Sequence, residues 1–438
     1  MQIWDSKQQR KIKINDLTVT MYVCGPTVYG DVHLGNMRPI VIFDILQRLF
    51  MFTKQKNFYV QNITDIDDKI IYQAHLEKKT EKELTEKYTK SYFEILKQLN
   101  VYEPNLFVKV SDNIADIIKF IERLVKIKAA YVKNGNVYLA IERYFQTYGK
   151  LSKKNLEDLQ TGIRVAIDSN KNYINDFVLW KKTDQGQKWT SSWSEGRPGW
   201  HTECALFINK YFKQPINIHG GGIDLIFPHH ENERIQLLAL NNQEPVKIWL
   251  HNGHLFYDNV KMSKSLKNTI VVKEFLQHYD ANVLRYLLTL THYSKPLNIT
   301  KNFIIQGKEK VAKIHQILKE SLVISFFNGE VNTNEKNEQL VMQVVNYLQD
   351  DLNFANAWVI IEQIVKEINN ILKGKSGAIL PLFNTLQQCL FLLGLQFSLV
   401  LFDDDVKRLL LSWQNARKQK NYNLADKIRE QLQAENIL

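Results

Sequence analysis

The stretch LTVTMYVCGPTVYGDVHLGNMRP, from Leu17 to Pro39, carries the first strand–turn–helix signal of the chain. Residues 17–24 are rich in β-branched side chains and read as a strand. Gly25-Pro26 then turns the chain. A helix is expected over residues 39–50, because Pro39 suits a first helical turn and Ile42, Ile45, Leu46 and Leu49 form one apolar stripe. Residues 58–63 read as a second strand, ending in the acidic turn Thr64-Asp65-Ile66-Asp67-Asp68. Strand, helix, strand implies a parallel pair joined by a right-handed crossover.

The same alternation returns after a gap. A helix is expected over residues 202–212, a strand over 215–218, the glycine run Gly220-Gly221-Gly222, a helix over 228–240 and a strand over 246–250. Between the two α/β stretches, residues 80–130 read as helical. Asn134-Gly135 reads as a hairpin turn, and residues 155–196 are irregular, as an insertion would be. Beyond Val271 the pattern is almost entirely helical, with Pro381 the one proline after residue 301 and a loop expected at Gly374 and Gly377. Helical stripes of this kind read as a bundle. The fold class is therefore α/β: a Rossmann-like parallel-sheet domain with an insertion, followed by a C-terminal α-helical bundle.

Composition narrows the function. The chain has 438 residues, three cysteines and a formal net charge of +11. That length implies more than one domain. Cys24, Cys204 and Cys389 are too far apart in sequence for a disulfide framework, so a reducing cytoplasm is expected. No apolar run reaches the roughly 18–20 residues of a membrane span, and no secretory signal is expected at the start. A basic surface attracts polyanions such as nucleic acid.

Parallel strands present their C-terminal ends on one edge, where ligands bind. Cys24 ends the first strand, Cys204 opens a helix, and His229 and Glu233 lie four residues apart on one helix face. Two thiols, an imidazole and a carboxylate form a reasonable tetrahedral zinc set. The same residues also read as a small buried thiol and a solvated helix start, and their spacing matches no zinc-finger or HExxH pattern. For phosphate there is neither GxxxxGK[ST] nor GxGxxG. Two other segments remain: Cys24 to Asn36 after the first strand, and the loop Lys261-Met262-Ser263-Lys264-Ser265, where two lysines flank small residues.

Together these segments resemble a known family. His33-Leu34-Gly35-Asn36 is similar to the HIGH signature of class I aminoacyl-tRNA synthetases, and Lys261 to Ser265 matches their KMSKS signature. Within the class the chain resembles the cysteinyl-tRNA synthetases along nearly its whole length. The resemblance runs through residues 22–29, Asn62 to Lys69, residues 176–181, residues 196–204, His219 to Leu225, and Phe227 to Glu233. It implies zinc on Cys24, Cys204, His229 and Glu233. It further implies a cysteine pocket with Thr64, Trp200 and His219, and ATP contacts from Thr27, His33, Gly35, Asn36 and Lys264. Its chemistry would be carried by His33, Asn36, Lys261 and Lys264. Asn36 replaces the second histidine of HIGH; it still donates a hydrogen bond but cannot become cationic.

The implied activity is ATP-dependent ligation of L-cysteine to tRNA(Cys), with Mg²⁺ accompanying ATP, by a cytoplasmic monomer. The implied domains are residues 1–100 and 197–255 for the two catalytic halves, 101–196 for a connective insertion, 256–310 for the KMSKS loop and stem-contact region, and 311–438 for anticodon binding. In that last domain Trp413, Arg417, Lys418, Lys420 and Tyr422 are candidates for stacking and basic contacts. Two other functions compete: a paralogous ligase joining cysteine to an amino sugar, and a catalytically silent RNA-binding relative.

Overall fold

The computed structural model describes residues 1–154, 170–262, 268–331 and 334–438. The chain forms two compact units: residues 1–278 with Tyr293–Ile299, and Tyr279–His292 with Thr300–Leu438.

The first unit opens with a hairpin, β1 (Gln2–Asp5) and β2 (Arg10–Lys13). β3 (Thr18–Val23) follows and buries nearly all of its second half. α1 runs from Leu34 to Phe52. It starts five residues before the expected Pro39, because the polar HLGN segment itself supplies the first turn, with His33 as N-cap. Its expected stripe is fully or almost fully buried, and so are Arg38, Asp44 and Arg48, so α1 is enclosed on most sides. The Arg48–Asp44 ion pair at 2.9 Å satisfies two of those charges internally.

β4 (Lys56–Ile63), α2 (Asp68–Glu77) and α3 (Glu81–Gln98) come next. A capping box between Thr80 and Glu83 starts α3. The stretch expected to be continuously helical to residue 130 is then broken by strand β5 (Leu106–Lys109) before α4 (Ile114–Lys126). Only four residues long, β5 gives too short an apolar run to be told from a helix by period. It is nevertheless an edge of the main sheet, so that sheet draws a strand from the stretch expected to be insertion.

β6 (Ala130–Lys133) and β7 (Asn136–Leu139) form the expected hairpin, with Asn134 at φ 53° and Gly135 at φ 83°. With β8 (Phe177–Lys182), β9 (Trp189–Thr190) and β10 (Glu195–Pro198) they make an antiparallel sheet of order β6-β7-β8-β10-β9. α5 (Thr202–Tyr211), β11 (Ile216–Gly222), α6 (Glu231–Asn241) and β12 (Val246–Asn252) resume the α/β alternation. α6 starts three residues later than expected because Phe227, at φ −137° and ψ 131°, is extended within the short turn Ile226–His230.

The main sheet has five parallel strands in the order β12-β11-β3-β4-β5. Beyond it, β13 (Leu255–Tyr257) pairs with β14 (Val260–Lys261) and with β15 (Leu297–Ile299), and α7 spans Val272–His278.

The second unit is helical: α8 (Ala281–Leu288), α9 (Lys301–Phe327), α10 (Glu338–Gln349), α11 (Phe354–Leu372), α12 (Leu380–Leu392), α13 (Asp404–Lys418) and α14 (Tyr422–Ala434). Side chains of Asp280, Thr300, Asn337, Asn353, Asp403 and Asn421 accept first-turn N–H groups and set where these helices begin. The boundary expected at residue 311 falls inside α9, whose buried residues Ile304, Val311, Ile314 and Leu318 form one uninterrupted stripe. Among the described residues no helix is long and apolar enough to cross a membrane.

Candidate active site and metal centre

Four elements deliver side chains to one point at the C-terminal edge of the main sheet. Cys24 follows β3. The next residue must be glycine: a Cβ on Gly25 would stand 1.7 Å from the Asn62 carbonyl oxygen. The Gly25 N–H donates to Asn62 Oδ1 at 2.8 Å and fixes the turn. Cys204 lies in the buried first turn of α5, His229 in the turn before α6, and Glu233 in the first turn of α6.

The two sulfurs are 3.8 Å apart, Cys24 Sγ is 3.6 Å from Glu233 Oε1, and His229 Nε2 is 2.7 Å from Glu233 Oε1. One ligand atom from each of Cys24, Cys204, His229 and Glu233 lies within 4.8 Å of the others. A tetrahedral zinc ion with bonds of about 2.0–2.3 Å needs ligand separations of roughly 3.3–3.8 Å, so small adjustments would fit one.

The charges fit a cation as well. Burial opposes ionisation of Cys204, but the hydrogen bond from Cys24 and the proximity of His229 bring its thiol down to about 6. Burial, and then Cys204, push Cys24 up, so the shared proton rests there. Burial works against protonation of His229, yet Glu233 and Cys204 raise it to about 10. Burial would raise Glu233, but His229 and His219 hold it well below the usual carboxylate range. The pocket thus stores a thiolate and a carboxylate, two of the deprotonated forms that metal ligands require, while Cys24 and His229 would each release a proton on binding an ion.

Around this cluster stand histidines that pattern reading did not single out. His201 Nδ1 lies 3.0 Å from His229 Nδ1, His230 Nε2 lies 3.5 Å from Cys24 Sγ, and His251 Nε2 lies 2.8 Å from His230 Nδ1. Such partners orient the groups they touch. His201 follows Trp200 and His230 follows His229 in the sequence, whereas His251 carries no such signal. His219, expected in the cysteine pocket, is fully buried behind Glu233 and pairs with its Oε2 at 2.5 Å.

Three of the four donors, Cys24, Cys204 and His229, line a cavity of about 470 Å³, and Glu233 is fully buried beside them. Thr64 and Trp200 line it too. Trp200 stacks on His229 with centroids 4.4 Å apart and an angle of 29°. The Thr64 hydroxyl accepts from Asn62 Nδ2 at 2.9 Å and donates to the buried Glu203 at 3.5 Å. Thr27 bridges to Thr64 in parallel.

The phosphate candidates share the cavity. Thr27, His33, Gly35 and Asn36 line it, with the last three at the N-terminus of α1, and Lys261 lines it from β14. Asn36 Oδ1 accepts the His33 N–H at 3.1 Å, so this asparagine orders the turn that carries it. His33 bridges to Val271, and the Leu34 N–H donates to the Ile270 carbonyl at 3.0 Å. The HLGN turn and the chain just after the lysine loop are therefore tied by backbone. Lys264 lies outside the described residues.

In the second unit, Trp413 packs near Phe327 with Arg417 4.8 Å over its ring, so it joins helices. Tyr422, Lys418 and Lys420 are exposed.

Residues 10–309 match the family model described as the tRNA synthetases class I (C) catalytic domain. The chain is 44% identical over 451 residues to the cysteine--tRNA ligase of Mycoplasma mycoides subsp. mycoides SC, covering all of both chains. It is 37% identical over 456 residues to that of Brevibacillus brevis, covering 100% of this chain and 97% of the relative. In fold it is similar to Mycobacterium tuberculosis methionyl-tRNA synthetase in complex with methionyl-adenylate, with a TM-score of 0.63 and 12% identity, covering 90% of this chain and 91% of that one. A parallel sheet with a split HLGN and KMSKS pair, full-length relatives of one name and a matching catalytic-domain model lead to one conclusion: the chain belongs to the cysteine--tRNA ligase family of class I tRNA synthetases.

Proposed function

We propose that the chain activates L-cysteine with Mg²⁺ and ATP and transfers it to the 3′ end of tRNA(Cys) in the cytoplasm. The observation that carries this reading is the shared cavity: Cys24, Cys204 and His229 of the two-thiol, histidine and glutamate cluster line the same space as His33, Asn36 and Lys261.

In the first step the cysteine carboxylate attacks the α-phosphorus of ATP, cysteinyl-adenylate forms and pyrophosphate leaves. The carboxylate is ionised at neutral pH, so the step needs no general base. Positioning and charge stabilisation carry it. The N-terminus of α1 offers N–H groups and a positive dipole end to phosphate. His33 and Asn36 stand there, and Lys261 and Lys264 supply cations to the phosphate chain. In the second step the terminal ribose hydroxyl of tRNA attacks the adenylate carbonyl carbon and AMP leaves.

Selection lies with Cys24, Cys204, His229 and Glu233, which would hold one zinc ion. When bound, the ion supplies a soft partner for the cysteine thiolate that the hydroxyl of serine cannot match. Trp200 and Thr64 shape the rest of the pocket. A site built around such a specific bond rejects the analogue lacking it by a factor on the order of 10⁴, which makes editing unnecessary.

Two assays on the purified chain test the proposal. Cysteine-dependent exchange of pyrophosphate into ATP is expected, together with charging of tRNA(Cys). Exchange without charging would favour the amino-sugar ligase. Absence of both would favour the silent RNA-binding relative.

A further inference from the structure

Asn252 is the last residue of β12 and lines the cavity, yet it is 1% exposed and neither its Oδ1 nor its Nδ2 has a hydrogen-bond partner among the described residues. Leaving a buried amide unpaired is unfavourable at both ends of the group. Groups in this state need a ligand or an explanation.

The backbone around Asn252 is held firmly. On one side it pairs in register with Gly222 of β11, which has no side chain to cover the amide. On the other, Gly253 accepts from Arg38 Nη1 at 2.7 Å and donates to the Tyr293 carbonyl at 2.9 Å. A Cβ on Gly253 would stand 2.4 Å from the Lys295 carbonyl oxygen, so this tight turn requires glycine. The backbone that carries the amide is thus fixed in place while the amide's own hydrogen-bonding groups are unpaired, as in a residue positioned to read a ligand.

We propose that the Asn252 carboxamide reads the adenine of ATP, a role that rests on the nucleotide reading of this cavity given above. A carboxamide presents one acceptor beside one donor. Adenine presents the complement, an amino donor beside a ring-nitrogen acceptor, and asparagine pairs with that edge in two hydrogen bonds. The alternative ligand group, the ribose diol, is better matched by Asp224, an exposed carboxylate on the same cavity wall. Oδ1 accepts from the 6-amino group and Nδ2 donates to the ring nitrogen.

The test is pyrophosphate exchange at saturating cysteine, with ATP, purine riboside triphosphate (which lacks the 6-amino group) and 2′-deoxyATP. The wild-type chain is expected to show a KM for purine riboside triphosphate about tenfold above that for ATP. Asn252→Ala raises the KM for ATP about tenfold, brings the two purines within about twofold of each other, and leaves the KM for cysteine unchanged. Asn252→Asp keeps the side chain's shape and the acceptor but loses the donor. It is expected to raise the KM for both purines while keeping their ratio, which covers the case of an alanine variant that does not fold. The proposal is overturned if the 6-amino preference survives in Asn252→Ala, if Asn252→Asp binds ATP like the wild type, or if only the 2′-deoxy preference changes. A wild-type chain with no cysteine-dependent exchange would overturn the nucleotide reading first, and this one with it.

Discussion

Cys204 differs from an ordinary buried cysteine in its company. Burial and the nearby Glu233 carboxylate oppose its ionisation, but Cys24 donates to it and His229 faces it, and together they bring its thiol down to about 6. Cys204→Ser keeps the volume but removes a donor that ionises at neutral pH. We expect it to lower zinc content and to reduce kcat/KM for cysteine in pyrophosphate exchange by about 100-fold or more, while ATP binding, measured by equilibrium titration, stays within about threefold. Lys264 should behave differently. Its contact with phosphate strengthens as charge develops in the transition state, so Lys264→Ala should lower the exchange kcat on the order of 10²-fold and leave the KM for cysteine nearly unchanged. A Lys264→Ala enzyme that folds and exchanges at the wild-type rate would remove that role.

The edge formed by β3 and β4 is what brings these residues to one place. Gly25 lets the chain leave β3 against Asn62, and the Thr27–Thr64 bridge continues the contact beyond both strands. Gly25→Ala should therefore cost on the order of 2–4 kcal/mol, seen as a lower denaturant midpoint with a nearly unchanged slope. An unshifted midpoint would mean that the edge adapts freely. How far such features can be read from sequence depends on their range. β3, β4 and the hairpin at Asn134-Gly135 follow from local periodicity and turn chemistry. β5 escapes because a four-residue strand has no period to read, and the true start of α1 escapes because HLGN is polar and Pro39 mimics a first turn. The four clustered donors come from three distant segments, and nothing local in any of them requires that they meet. Long motif resemblance singled them out where spacing left them ambiguous. Asn252 illustrates the remaining gap: an asparagine at a strand end carries no sequence signal of an unpaired amide. Trp413 illustrates another, since aromatic character does not distinguish a stacking platform from a helix contact.

The chain as a whole combines a net charge of +11 with a second, helical unit. If that unit recognises tRNA, affinity should fall steeply with salt, by at least about tenfold between 50 and 200 mM, because phosphate contacts release counterions. Lys418 and Lys420 are exposed at the turn between α13 and α14, so the double substitution Lys418→Glu, Lys420→Glu is the gentler probe; a cut at residue 311 would sever α9. We expect this variant to weaken tRNA charging about tenfold or more and to leave pyrophosphate exchange unchanged. Equal loss of both reactions would assign these lysines to stability instead. Normal charging would place recognition elsewhere on the unit.

Everything above depends on the two-thiol, histidine and glutamate cluster being where cysteine is selected. X-ray absorption at the zinc edge of the purified, active enzyme, recorded without and with cysteine, reads that site. One zinc per chain is expected, with two sulfur neighbours in the free enzyme and three when cysteine is bound, and with no change on adding serine. An active enzyme that contains no zinc, or whose sulfur count is the same with and without cysteine, would contradict the assignment.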